Sequence, residues 1–448
     1  MSQNPNATYG SASAGDPYLP AAGNDGYSVE FYDLELDYRV ATNRLSAIAT
    51  ITARATMPLD RFSLDLAGLT VEKVLIDGVR VQKHTHSARK LVITAAHTIE
   101  AGEQFEVEVR YRGAPHPVRS PWGDVGWEEL TDGVLVASQP SGASSWFPCN
   151  DHPSNKAGFR IAVSCEAPYT VVANGSLVSR MTRAGRTSWV YESPEPMATY
   201  LATVQIGRYK ATAVASAPVP HQVFHPADLA NHVAVDFGRL GDMLALFEKL
   251  FGPYPFSSYV VVVTDDELEI PLESQALATF GRNHVDGLHG SDRLIAHELA
   301  HQWFGNSLTV ALWKDIWLHE GFACYAEWLW SEGSGGKSAH ENAIAAARRL
   351  EGLPKEIVIG DPGAADMFDD RVYKRGALAL HAIRLHLGDE RFFGLLRTYV
   401  DDRKFENVSA EIFVEFSCAY SGDRAPERLV QDWVYSTALP TLVGQPTP

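Results

Sequence analysis

The sequence predicts an α+β protein in two parts, an antiparallel β domain over residues 26–209 and a mixed, mostly helical domain over residues 210–448. Three observations carry this. Tyr32, Leu34, Leu36, Tyr38 and Val40 alternate with Asp33, Glu35, Asp37 and Arg39, and Phe105, Val107, Val109 and Tyr111 alternate with Glu106, Glu108 and Arg110. A period of two puts apolar side chains on one face of a strand and charged ones on the other. Turn signals such as Asp77-Gly78 and Asn174-Gly175 recur between short Val-, Ile- and Thr-rich runs as far as Tyr209. After Pro226 the period lengthens, with Val235, Leu240, Leu244 and Phe247 spaced for a helix that stops near Phe251-Gly252-Pro253.

Taken in order, residues 1–25 are poor in apolar side chains and read as a flexible arm ahead of the β domain. In the second part, one strand over residues 259–264 precedes the main helical stretch. There Ser291-Asp292 has the chemistry of an N-cap, Gly305-Asn306 that of a stop, and residues 331–336 read as a loop. The sequence contains no internal repeat and no long low-complexity segment.

Composition narrows the function. With 448 residues, 45% hydrophobic and 21% charged, the chain can bury real cores and is too apolar for a disordered protein. Lys+Arg 38 against Asp+Glu 55 leaves −17 with neutral histidines, which repels nucleic-acid phosphates and anionic bilayers, so neither nucleic acid nor membrane is expected as a partner. No apolar run is long enough for a spanning helix, and the start of the chain lacks the basic and apolar regions of an export signal. Cys149, Cys165, Cys324 and Cys418 are far apart and read as buried thiols, which favours a cytoplasmic setting.

The chemistry concentrates at His297-Glu298-Leu299-Ala300-His301. On a helix, positions four apart stack on one face, so two imidazoles can be directed at one ion. Glu298, about 100° round the helix from His297, is badly placed as a ligand but well placed as a general base toward water on that ion. Glu320 follows His301 by nineteen residues, enough chain to end one helix and begin its neighbour. Alone it would be a solvated helix residue. Beside the histidine pair it completes two imidazoles and one carboxylate, which leaves zinc an open fourth position, as in hydrolytic rather than structural sites.

These residues resemble the aminopeptidase N group of zinc metallopeptidases (gluzincins), in which a histidine pair is followed after eighteen intervening residues by a Glu within Trp-Leu-Asn-Glu-Gly-Phe-Ala; this sequence has Trp317-Leu318-His319-Glu320-Gly321-Phe322-Ala323. The resemblance extends to Trp146-Phe147-Pro148-Cys149-Asn150-Asp151-His152-Pro153 with Lys156-Ala157, to Pro253-Tyr254-Pro255-Phe256 and to Val372-Tyr373-Lys374-Arg375-Gly376-Ala377, and so covers about residues 25–440. It implies a saddle-shaped antiparallel β-sandwich before a thermolysin-like catalytic domain. It also implies Zn2+ on His297, His301 and Glu320. Residues 433–442 match the family's end of the catalytic domain, so the helical domain that usually follows is expected to be missing, as in short bacterial members.

The resemblance also assigns a substrate clamp. The family's Gly-Ala-Met-Glu-Asn stretch aligns with Ile270-Pro271-Leu272-Glu273-Ser274, followed by Thr279-Phe280, and implies that Glu273 binds the free α-amine of a peptide while the adjoining edge strand pairs with its backbone. Gln139 matches a substrate-binding Gln, whereas Ser141 stands where a second amine-binding Glu often lies, and Ser274 replaces Asn. Tyr373 matches the tyrosine that stabilises the oxyanion. Glu327, seven residues after Glu320 on the same face, can orient a zinc histidine, and His319, replacing the usual Asn, is given a supporting role beside the ligand. Trp303, Trp313, Trp317, Trp328 and Trp330 read as packing core, Asp315 as structural, and His84 and His86 as an exposed strand face.

The expected function is therefore a zinc aminopeptidase acting on peptides or small substrates with a free amino terminus, with Glu298 as general base. Two alternatives stay open: the same zinc site working on a specialised substrate, by leader-peptide processing or by epoxide hydrolysis as in a family relative, and a catalytically silent peptide-binding relative.

Overall fold

Alternation in the sequence becomes sheet in the computed structural model, which describes residues 8–213 and 219–442. The largest sheet has eight strands in the spatial order Ser176–Arg183, Arg186–Ala198, Lys156–Glu166, Tyr27–Arg39, Arg44–Ala55, Gln104–Gly113, Thr70–Ile76, Val79–Arg80. Leu34 pairs with Ala49 and Leu36 with Ala47, all buried, while Glu35 and Asp37 face water. One pairing departs from the antiparallel expectation: Tyr27–Arg39 runs parallel to Lys156–Glu166, with Leu34 opposite Ile161. Alternation reports which face is wet, not which way a neighbour runs. A five-stranded and a three-stranded sheet share the same core, where the Tyr32 ring stacks on Phe159 at 4.8 Å and meets Phe147 edge-on at 5.4 Å.

The expected flexible arm over residues 1–25 is a correction. Its first seven residues lie outside the described residues, but part of the rest is packed: Asp16, Tyr18, Leu19 and Asn24 are buried. Asp16 accepts from the Trp313 backbone N–H at 2.9 Å and faces His152 at 3.4 Å, and Asn24 donates to Asp65 at 2.7 Å. A polar segment can be ordered when its few side chains satisfy buried groups elsewhere, which low apolar content does not reveal. His84 and His86 are likewise half-buried rather than exposed, and Cys418 is half-buried, not buried.

In the second part, Lys210–Ala213 pairs antiparallel with His221–His225, which is followed by parallel pairing to Tyr259–Val263 and then to Leu277–Phe280. A short strand Thr309–Val310 pairs parallel with Asn407–Val408, and helices make up most of the rest: α1 (Ala230–Asp236), α2 (Leu240–Phe251), α3 (Asp292–Ala300), α4 (Trp317–Gly333), α5 (Ala339–Glu351), α6 (Asp370–Leu387), α7 (Asp389–Asp402), α8 (Ala410–Ser421) and α9 (Ala425–Val434). The helix expected across Val235 and Phe247 is two, and α4 runs on into the expected loop at 331–336. Ser291 occupies the N-cap of α3 but its side chain makes no capping bond.

Packing around α3 and α4 fixes where the chemistry sits. Every residue of α4 from Trp317 to Trp330 is buried, so this helix is core on all sides. It crosses α6 at bare backbone: a Cβ on Gly376 would lie 2.9 Å from the Gly321 Cα, and a Cβ on Gly321 equally close to Gly376. Trp303, just after α3, packs against Phe247, Phe251 and Tyr254 and donates to the Gly252 carbonyl at 3.1 Å, which anchors the end of α3.

Candidate active site

His297 and His301 sit one turn apart on α3 and just past its end, with ring centroids 4.8 Å apart. The adjacent α4 brings Glu320 Oε2 to 3.4 Å from His297 Nε2 and 3.5 Å from His301 Nε2. One potential ligand atom from each of the three lies within 4.8 Å of the others, and all three residues are buried. His297 Nδ1 faces Glu327 Oε1 at 2.9 Å, and His301 Nδ1 faces the Phe304 carbonyl at 3.0 Å. Both partners are acceptors, so each Nδ1 carries a proton, and each Nε2 lone pair points toward the Glu320 carboxylate. Lone pairs facing a carboxylate need a cation between them, either a proton or a metal ion. Two imidazoles and a carboxylate are a zinc donor set, and the Nδ1 hydrogen bonds are the outer contacts that orient such ligands. The residues fit the ion.

The electrostatics agree with that fit. Burial opposes a charge on His297, but hydrogen bonds to Glu320 and Glu327 outweigh it and push its pKa up to about 10. Burial works against a charged Glu320 as well, yet His301 and His297 hold its carboxyl below the ordinary range. Glu298 and Glu273 move the other way, raised chiefly by burial, with nearby carboxylates adding to it. Several buried carboxylates around two imidazoles make a site that attracts a divalent cation.

A cleft of about 280 Å³ opens in front of this set and is also lined by Gln139, Ile270, Pro271, Glu273, Glu298, Phe368 and Tyr373. Gln139 Nε2 donates to Glu273 Oε1 at 2.5 Å, which links the β domain to the clamp segment. Tyr373, in the first turn of α6, lays its ring on His297 at 6.0 Å and 18°. Burial and the charges of Glu320, Glu273 and Glu298 raise its pKa well above the usual value, so its hydroxyl remains a donor. Glu327 lies behind His297. His319 takes a different position: its Nε2 accepts from the Val310 N–H at 2.9 Å, and burial, then the His301 charge, drive its pKa down to about 3. It ties α4 to the strand Thr309–Val310, with no hydrogen bond to either metal-facing histidine. Ser141 and Ser274 are buried and contribute no charge.

Two residues on this cleft escaped sequence reasoning. Arg293 donates to Glu327 at 2.9 Å and Lys374 lies 3.8 Å from it. Arg293 precedes His297 by four residues and so shares its helix face, a spacing that could have found it; Lys374 carried no signal beyond standing next to Tyr373.

The molecule thus sets a β-rich domain before a helical domain that presents two histidines and one glutamate as a candidate metal set. The profile of the Peptidase M1 N-terminal domain matches residues 28–201 and that of the Peptidase family M1 domain matches residues 237–433. The chain belongs to peptidase family M1. It is similar to the M1 zinc metallopeptidase from Deinococcus radiodurans, with 31% identity, a TM-score of 0.89, and coverage of 97% of this chain and 100% of that one. It resembles equally a mutant of that protein bound to a Tyr-Ser-Ala substrate, with 32% identity, a TM-score of 0.88, and coverage of 96% and 99%. The leucyl aminopeptidase of Saccharolobus solfataricus is 23% identical over 92% of this chain and 54% of its own. The chain thus spans about half the length of the curated relatives it matches. Among the described residues, no helix is long and apolar enough to cross a membrane.

Proposed function

We propose that this protein is a zinc-dependent aminopeptidase that removes amino-terminal residues from peptides. The observation that carries the reading is one cleft lined both by His297, His301 and Glu320 and by the buried carboxylate of Glu273. Those three ligands would hold Zn2+, which when bound supplies Lewis-acid polarisation of a carbonyl and a water acidic enough to ionise near neutral pH. Glu298 takes the proton from the attacking water and delivers it to the leaving amine; its raised pKa brings it closer to working pH, where a general base is most effective. Glu273, steadied through one oxygen by Gln139, has lone pairs left for the substrate α-ammonium and so holds the amino terminus a fixed distance from the reacting carbonyl. The Tyr373 hydroxyl donates to the oxyanion, a contribution of about 2.7–4 kcal/mol for a well-aimed donor.

The similar proteins support this: one is named leucyl aminopeptidase, and mutants of the solved metallopeptidase bind Tyr-Ser-Ala, L-arginine or L-tryptophan. A silent peptide binder needs neither Glu298 beside the metal set nor Tyr373 against His297. A cytoplasmic setting belongs to the same proposal and is supported by four free cysteines among the described residues. The test is a panel of amino-acid 4-nitroanilides and their N-acetylated twins, with Glu298→Gln as control. Cleavage of the free-amine forms alone, with kcat lowered about 10²–10⁴-fold in the variant, is expected; equal cleavage of both forms would rule out amine anchoring.

A further inference from the structure

The segment that carries Glu273 is not held by sheet pairing alone. Between Leu272, which pairs across to Thr279, and the strand Leu277–Phe280, the chain makes a turn in which Ala276 adopts a positive φ of 57°. Backbone groups in this turn are buried and need partners. Two amide side chains just past α3 supply them. Gln302 Oε1 accepts from the Ala276 N–H at 2.7 Å, and Gln302 Nε2 donates to the Ser274 carbonyl at 3.2 Å. Asn306 Nδ2 donates to the Glu273 carbonyl at 2.8 Å and to that of Ser274 at 3.2 Å. Both amides are fully buried. They sit within the turn that follows His301, whose own Nδ1 is fixed by Phe304 of that turn. The same turn is gripped from the β domain, where Lys156 Nζ donates to the Asn306 and Ser307 carbonyls at 3.0 and 2.7 Å.

From this geometry we infer that Gln302 and Asn306 are positioning residues that set the separation between the Glu273 carboxylate and the metal ligands, and hence fix cleavage at the first peptide bond. The inference rests on the proposed anchoring of the α-amine by Glu273. Neither amide lines the cleft. Each works through the backbone of residues 273–276, so that clamp and metal histidines hang from one rigid turn rather than from two elements that can shift independently. A clamp that wanders by about 1 Å forfeits up to about 100-fold in rate, because the α-amine and the carbonyl can no longer be held together in register.

The test is a double-mutant cycle on the zinc-loaded full chain. Glu273→Gln, Gln302→Met, Asn306→Ala and the two pairings with Glu273→Gln are compared by kcat and KM on the best free-amine 4-nitroanilide and its N-acetylated twin, with zinc content and melting temperature measured alongside. The expected result is that Gln302→Met and Asn306→Ala each lower kcat/KM for the free-amine substrate by about 10–100-fold, mainly through kcat, at unchanged zinc content. In the Glu273→Gln background the same substitutions should cost less than about threefold. A merely structural role predicts the opposite, the same factor in both backgrounds and on both substrates, and that result overturns the inference. Should Glu273→Gln itself leave the preference for a free amine intact, amine anchoring fails and the positioning role fails with it, a pattern separate from additivity. If Asn306→Ala does not fold, the milder Gln302→Met, which keeps side-chain length and removes the amide, decides the matter by the same criterion.

Discussion

Tyr373 lines the cleft beside the histidine pair. Its ring lies on His297, and its hydroxyl stays protonated because burial and three carboxylates disfavour the phenolate. Tyr373→Phe should therefore lower kcat about 10²–10³-fold with little change in KM or zinc content, since the donor acts where charge develops; an unchanged kcat would remove it from the mechanism. A second residue bears on stability. Burial pushes Asp315 up to about 7, with Lys314 only partly countering it. A carboxyl whose folded pKa lies above its unfolded value near 4 contributes stability that is present below the unfolded value and lost as pH rises through about 7. Asp315→Asn should thus raise the melting temperature relative to the parent at pH 8 and not at pH 4, by a free energy of at most about 4 kcal/mol at about 1.4 kcal/mol per pKa unit. Melting curves at both pH values read this directly. At this scale the sequence was most informative where chemistry is local. His297, Glu298 and His301 follow from helical spacing alone, whereas Glu273 and Gln139 meet across the two domains at 2.5 Å, a contact that no spacing rule contains.

At the scale of elements, the crossing of α4 and α6 brings Glu320 and Tyr373 to the same ion site. Gly321 and Gly376 touch backbone to backbone, so an added methyl meets atoms that cannot rotate aside. Gly376→Ala is expected to destabilise the fold by about 1–3 kcal/mol and to depress activity beyond what the melting point explains, because Glu320 and Tyr373 would be levered apart. Urea unfolding together with kcat tests this; an unperturbed variant would show that the crossing is looser than described. Helices were legible to within a few residues where apolar spacing was strong, as in α2. The start of α3 was placed correctly at Asp292 although Ser291 makes no capping bond, so the residue type signalled a boundary that other forces hold. His319 likewise stands next in sequence to the candidate ligand Glu320, while its ring reaches the backbone of Val310.

Across the whole molecule, the two parts are stitched by polar contacts that composition cannot foresee. Residues 8–25 return over both parts: Asp16 meets His152 of the β domain and Trp313 of the helical domain, and Tyr18 hydrogen-bonds Asp361 and the Gly363 N–H. Asp16→Ala strands the buried N–H groups of Tyr18 and Trp313 and the buried His152 imidazole, and should cost about 1–3 kcal/mol, read as a shift of the urea midpoint; no shift would mean that the arm is dispensable to stability. The parallel placement of Tyr27–Arg39 against Lys156–Glu166 was equally invisible in the sequence, because it depends on where the chain returns after building the intervening strands. All of this scaffolding brings His297, His301 and Glu320 together as the three candidate ligands of the proposed zinc. The most direct measurement is zinc stoichiometry with zinc-edge X-ray absorption on the parent chain and on His301→Ala. One zinc per chain should be found, held by two imidazole nitrogens and carboxylate oxygen at about 2.0–2.2 Å with no sulfur, and affinity should collapse in the variant. Zinc bound equally well without His301, or through a cysteine, would contradict the account.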